Sequence, residues 1–511
     1  MVVVLLVNSK SSCVVLNYRW YCNRTAVNDC IRCNVQREND MEIQRGNSVL
    51  AFKAGFWYTA STFLARAVAI ITTPIFARLL SVSDYGEFSN FANWAAILLL
   101  ITSAELHTTL SRAYYDFKDV YDDYISSVTI LGIGITTVLY LVFLLGDQYI
   151  SKIVSIPKQY VHLLFLFLLV TACRMIFYAR ERTLYRYKTV AFITFISFFI
   201  PTLISVFLVY LFPTEKPLSV RLYGFYLSAS IIGVYCAISL FVKSRVFRLR
   251  YCRYALALSI PLLVHYMAAT LLKSTNIIVT KSILGAGAAA IISIAGSTTH
   301  VFTILSQALT GALTTWLMDN LELGKKVTVK KGTFYYALLL AVVVLSAILI
   351  APEIVYILGG DKYVASVTLI PGLIFASYLQ AVTSVLIIIL TYDKNIIKTS
   401  IFTGIFALLS IAAKVLLLPR HGLIMLVYVN IAVFFMMLLI NYILVQRAGY
   451  ADIVYFKGII GIIIALGIIV LLSPQIYSLT SFRLFLMGIL VSICLILAYF
   501  NKRNIIGLLK K

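Results

Sequence analysis

Apolar runs of about twenty residues return, with little interruption, from residue 54 to residue 500. A bilayer core is about 30 Å thick, so a helix rising about 1.5 Å per residue needs about 20 apolar residues to cross it. In lipid every backbone amide must bond within the chain, which leaves helices as the solution for runs of this length. The runs are 54–78, 88–110, 124–146, 160–179, 190–212, 222–242, 255–281, 288–317, 333–357, 366–391, 396–418, 422–445, 457–473 and 481–500. The segments between them are too short to fold as soluble domains. Of the 511 residues 61% are hydrophobic and 12% charged, where a soluble domain carries about 25% charged residues. The expected fold class is an all-α, polytopic membrane bundle of about fourteen transmembrane helices. Pro74, Pro201, Pro261 and Pro371 fall inside the runs, as kinks do where neighbouring helices re-satisfy the freed carbonyls.

The formal net charge of +23 raises the question of a nucleic-acid partner, and the placement of the charges argues against one. A nucleic-acid face gathers its cations on one soluble surface. Here they sit in short clusters in alternate loops, such as Arg180, Arg182 and Arg186, or Lys325, Lys326, Lys330 and Lys331. Those loops carry almost three times the lysine and arginine of the others, which hold Arg78, Lys216, Arg221, Lys281, Lys362 and Arg483 among few more. By the positive-inside rule both termini are expected in the cytoplasm, the span number is even, and the location is the cell inner membrane.

Residues 1–40 stand apart. They are polar and mixed, and Val2–Val7 is too short for a signal-peptide core. Four of the eight cysteines lie here, and Cys30 and Cys33 form a CxxC with no second pair or histidine cluster at zinc-finger spacing. They read as unrelated thiols, and no metal or cofactor is implied. Met41 opens MEIQRGNSVLAFK, a short basic lead into the first span. Translation is expected to start there, with 1–40 a non-native or disordered extension.

Spans 1–2 and 7–8 share a layout. Each has a long helix with a central cation and then a tight turn, RLLSVSDYGEFSNF in one and KSILGAGAAAIISIAG in the other. A unit of six helices occurring twice in one orientation implies two pseudo-symmetric lobes with a cavity between them. The expected division is an N-lobe at 41–253, a C-lobe at 254–446, and two further helices with a basic tail at 447–511.

A charge at mid-bilayer costs roughly 2.5–3.5 kcal/mol on insertion scales, so such residues need a partner, an interface or a job. Arg66 lies near the centre of span 1 with Thr62 and Thr73 on its helical face. Lys273 in span 7 has Thr270, Asn276 and Thr280 at helical spacings, and Lys414 in span 11 follows Ser410 and Thr403. Each cation lies on a polar stripe, as expected of a face turned to a wet cavity. The blander readings are that Lys414, near its helix end, snorkels to the interface and that Lys273 pairs structurally. Glu105 is the one carboxylate clearly within a run. It reads either as a proton carrier in transport or as a local partner of Arg112. His107, His265 and His300 are isolated and read as packed or interfacial. A cavity rich in cations and poor in anions suits an anionic cargo, because arginine offers a bidentate fork to phosphate oxygens.

The segment FKAGFWYTASTFLARAVAIITTPIFARLLSVSDYGEFSNF, with Leu80, Ser81, Asp84, Tyr85 and Gly86 in its turn, resembles the opening helix and turn of the Wzx-type oligosaccharide flippases. These form part of the multidrug/oligosaccharidyl-lipid/polysaccharide exporter superfamily. LLLPRHGL (Leu416 to Leu423) is similar to that family's turn between helices eleven and twelve. The layout agrees across 45–505. The resemblance implies twelve core helices in two lobes plus two extra, alternating access, and a cationic cavity for a polyprenyl-diphosphate-linked oligosaccharide. Arg66, Lys273 and Lys414 would bind that substrate, and a polysaccharide polymerase and a chain-length regulator would be partners besides membrane lipids. Asn276 stands where many relatives carry an aspartate, and LIMLVY (Leu423 to Tyr428) replaces their small residues. The expected function is therefore translocation for O-antigen, capsule or exopolysaccharide synthesis, with no catalysis. A drug/cation antiporter or a lipid II flippase of the same superfamily is the alternative within transporters. A membrane polymerase or ligase, an enzyme, is disfavoured because the cation-poor loops are short.

Overall fold

Where the chain can turn decides how its apolar runs become helices. The computed structural model describes residues 48–146, 154–212, 216–393 and 396–479, with 481, 483 and 485–488. The N-terminal cysteines, Met41 and most of the run 481–500 lie outside the described residues. The helices are α1 (Ser48–Leu79), α2 (Val82–Ser103), α3 (Leu110–Asp116), α4 (Tyr121–Leu145), α5 (Val161–Thr183), α6 (Tyr187–Leu211), α7 (Pro217–Phe241) and α8 (Leu249–Leu284). Then come α9 (Ala286–Glu322), α10 (Lys326–Leu349), α11 (Ala351–Gly359), α12 (Ile370–Tyr392), α13 (Ile396–His421), α14 (Leu423–Arg447) and α15 (Phe456–Ser478). Among the described residues twelve helices are long and apolar enough to cross a membrane, or thirteen with α2 and its bent continuation counted as one span. The protein is a multi-pass membrane protein.

Tight turns gather at one end, the end whose loops hold few cations. Gly285, at φ 88°, lets α9 follow α8 after one residue, and Gly422, at φ 68°, does the same between α13 and α14. Only glycine takes such angles without cost. Between α1 and α2 the device is a cap: the Ser81 hydroxyl oxygen accepts from the Asp84 amide at 3.0 Å and donates to the Asp84 carboxylate at 2.7 Å. That cap starts α2 at Val82, a turn and a half before the apolar run suggests.

Of three further departures from the sequence pattern, the first two have local causes. The run 333–357 is two helices, because α10 ends at Leu349 and Ala351-Pro352 opens a new one. Pro371 occupies the first turn of α12, where its missing N–H is no loss, and does not kink a helix interior. The run 88–110 breaks after Ser103. Ala104 and Glu105 both adopt left-handed backbone (φ 43° and 53°), and the chain bends by 48° into the turn Leu106–Thr109 and α3.

Packing divides the bundle. In the first half α1 lies on α6, and α6 and α5 both lie on α7; in the second, α12 lies on α14, and α13 on α8 and α14. The halves meet where α2 packs against α8 and α9.

Candidate functional site

At the cation-poor end α2 and the α8–α9 turn come closer than side chains would allow. A Cβ added to Gly86 would fall 1.8 Å from the Ala286 carbonyl oxygen, so the glycine of the first repeat's turn rests on the backbone of the second's. Beside it the Ser89 hydroxyl donates to the Ser293 hydroxyl at 2.8 Å. Lys281 donates to Glu87 at 2.6 Å and to the Ser155 carbonyl. Arg78 donates to the Ile357 carbonyl at 3.1 Å, and the Tyr85 and Tyr363 rings meet edge-on at 5.9 Å. These contacts tie the two halves together across that end.

Behind this seal lies a cavity of about 650 Å³ walled by both halves. The first half contributes Thr73, Ser89 and Arg221, and the second Lys273, Asn276 and His300, among other hydroxyls and amides. Among the described residues no carboxylate lines it. Tyr85 lines it too, whereas Asp84 is half-buried at the cap and Gly86 serves the contact between halves.

The expected site residues separate on this geometry. Lys273 and Asn276 face the cavity, and the Asn276 side-chain oxygen is buried with no hydrogen-bond partner. Arg66 lies in α1, one position from Ala65 and seven before Thr73, both of which line the cavity; its side chain lies outside the described residues. Thr62 donates to the Tyr58 carbonyl at 2.8 Å and is not on the lining. Lys414 is fully buried, its Nζ has no hydrogen-bond partner, and it is absent from the cavity wall in this conformation. It does not snorkel. Glu105 is buried in the break after α2, with the His107 Nε2 at 3.8 Å. Its expected partner Arg112 pairs instead with Asp116, at 3.3 Å one turn along α3, because the break swings α3 off the axis of α2.

Two lining residues escape the sequence reading. Arg221 counts there as a loop cation, but Pro217 opens α7 and puts Arg221 in its second turn, 5% exposed. Proline as a first-turn signal, with the aromatic neighbours in VRLYGFY, was the available clue. His300 reads as isolated, although Ser293, Ser297 and Thr303 of its own helix share the wall with it.

The fold is similar to that of a solved structure described as lipid II flippase MurJ in an inward closed conformation, with a TM-score of 0.64 and 14% identity over 88% of this chain and 99% of that one. A second is an inward-facing multidrug resistance MATE family transporter of the MOP superfamily, with a TM-score of 0.54 and 14% identity over 76% of this chain and 95% of that one. At such identities the likeness concerns the fold. No curated protein matches the sequence. The family model described as polysaccharide biosynthesis protein matches residues 51–318, just over half of the chain, and spans both repeat turns and the cavity-lining parts of α1, α2, α6, α7, α8 and α9. The chain belongs to the polysaccharide biosynthesis protein family.

Proposed function

We propose that the protein is a flippase that carries a polyprenyl-diphosphate-linked oligosaccharide across the cell inner membrane by alternating access, for synthesis of a surface polysaccharide such as O-antigen, capsule or exopolysaccharide. The observation that supports this most is the make-up of the cavity: Lys273 and Arg221 on its wall, many hydroxyl and amide groups, and no lining carboxylate among the described residues. A diphosphate is matched by cations that give charge-assisted hydrogen bonds, and the hydroxyls and amides suit sugar. A carrier of cationic drugs would need the opposite sign. With the positive-inside rule, the cation-rich end and both termini face the cytoplasm. The sealed end is then extracytoplasmic, and this conformation receives cargo from inside. Surface polymerase and chain-length regulator act downstream as partners.

Depletion in cells is the direct test. Lipid-linked oligosaccharide is expected to accumulate on the cytoplasmic leaflet while surface polysaccharide falls. A change in drug susceptibility alone, with polysaccharide intact, would replace this reading with the antiporter. Within the cavity, Lys273→Glu is expected to lower complementation at least about tenfold while Lys273→Arg retains most of it, since only the sign of the charge differs in kind. Equal activity of the two variants, at equal protein level, removes electrostatics from the role of Lys273.

A further inference from the structure

We infer that Arg221 is a second anion-binding station, placed at the sealed end of the cavity to take the diphosphate group after Lys273 has received it. The inference rests on the lipid-diphosphate reading above and assigns a residue that the sequence placed in a loop.

Arg221 is 5% exposed, and its Nε and Nη1 have no hydrogen-bond partner. Its guanidinium carbon lies 3.9 Å from the centroid of the Phe76 ring, 3.4 Å from that of Phe88 and 5.2 Å from that of Tyr85. The cation thus lies over three ring faces, an arrangement that attracts the charge. Rings do not satisfy its Nε and Nη1 donors, and a buried charge without hydrogen bonds is strongly disfavoured. The acidic side chains nearby are committed elsewhere, Glu87 to Lys281 at 2.6 Å and Asp84 to the Ser81 cap. Across the seam Tyr363, in edge contact with Tyr85, also has a buried hydroxyl with no partner. Unpartnered donors of both halves therefore flank the Tyr85 ring, and those of Arg221 belong to a residue on the cavity wall.

Position completes the case. Arg221 and Lys273 line the same cavity, Arg221 in the second turn of α7 near the cation-poor end and Lys273 eleven residues before the end of α8, deeper in the bundle. An oxyanion leaving Lys273 toward the sealed end next meets the Arg221 fork, and the phosphate geometry matches that fork bidentately. The rings hold the guanidinium flat and ready, so that less rotamer freedom is lost when the anion arrives.

Full-length protein in nanodiscs tests this with farnesyl diphosphate as the probe, farnesol as the neutral control and inorganic pyrophosphate as competitor. Wild type is expected to bind farnesyl diphosphate, with pyrophosphate competing. Arg221→Gln should weaken that binding about tenfold or more, the range for lost hydrogen bonds to a charge. Arg221→Lys should weaken it less, and farnesol binding should be unchanged in both. Unchanged diphosphate affinity in Arg221→Gln, while Lys273→Ala is weakened, overturns the station and leaves the flippase reading standing. Equal loss of farnesol and farnesyl diphosphate overturns it as well, by marking a structural role. If Arg221→Gln does not fold, Arg221→Lys decides, since it keeps charge but loses the fork; undiminished affinity there refutes the proposal. No diphosphate binding by wild type defeats the lipid-diphosphate reading itself.

Discussion

Lys414 and Lys273 carry the same charge in the same half and are treated oppositely by their surroundings. Lys273 reaches the cavity, whereas the Lys414 ammonium is enclosed with no hydrogen-bond partner, and Ser410, one turn earlier, also has an unpartnered hydroxyl. Burying an unpaired charge costs several kcal/mol after relaxation, so this conformation is stabilised by replacing it. Lys414→Met should raise the melting temperature of the purified protein by a few degrees. A lower melting temperature would show that the amine has a stabilising contact. Transport assayed on the same variant separates a passive residue from one that meets water or cargo in another state, because a functional lysine gives a gain in stability with a loss in activity.

The turns are the elements that decide which conformation is present. Gly86 admits the Ala286 carbonyl against α2, and no other residue type fits there without moving backbone. Overpacking of this kind costs about 1–3 kcal/mol, and 1.4 kcal/mol corresponds to about tenfold in a population. Gly86→Ala should therefore reduce the sealed state about tenfold. Ser89 and Ser293, whose hydroxyls are 2.8 Å apart, supply the readout. The double variant Ser89→Cys, Ser293→Cys should form a disulfide readily on mild oxidation, stop transport while oxidised, and regain it on reduction. Adding Gly86→Ala should cut the cross-linking yield; an unchanged yield would mean that the helices close elsewhere. The break after α2 is a second such element. Ala104 and Glu105 hold left-handed backbone at a cost of about 1–3 kcal/mol each, offset in part by Thr108 donating to the Glu105 carbonyl at 2.7 Å and by the Thr109–Tyr124 hydroxyl pair at 2.6 Å.

For the whole molecule the claim to test is its orientation and the side from which the cavity fills. In intact cells Lys362→Cys, exposed at the cation-poor end, should react with a membrane-impermeant thiol reagent, and Lys325→Cys, exposed at the cation-rich end, should react only after permeabilisation. Lys273→Cys should follow Lys325→Cys in the state described here. The reverse pattern for the two loop positions would invert the topology and with it the direction of transport. Background from the three described native thiols is expected to be small, since Cys173, Cys236 and Cys252 are buried.

Hydrophobic run length and loop charge are local quantities, so the amino-acid sequence alone determined the helical class, the positions of most described spans, the repeated turns and the candidacy of Lys273. The glycine turns were legible for the same reason. What shares a wall is not local. Arg221 entered the site because α7 begins at Pro217 and lays its second turn against Phe76 and Phe88, rings contributed by α1 and α2. Lys414 left the wall because α13 packs between α8 and α14. The bend at Glu105 falls where there is no glycine or proline to announce it, so only contacts with other helices could set it. A polar stripe tells that a helix face wants water or a partner; which of the two it obtains is decided when the halves close.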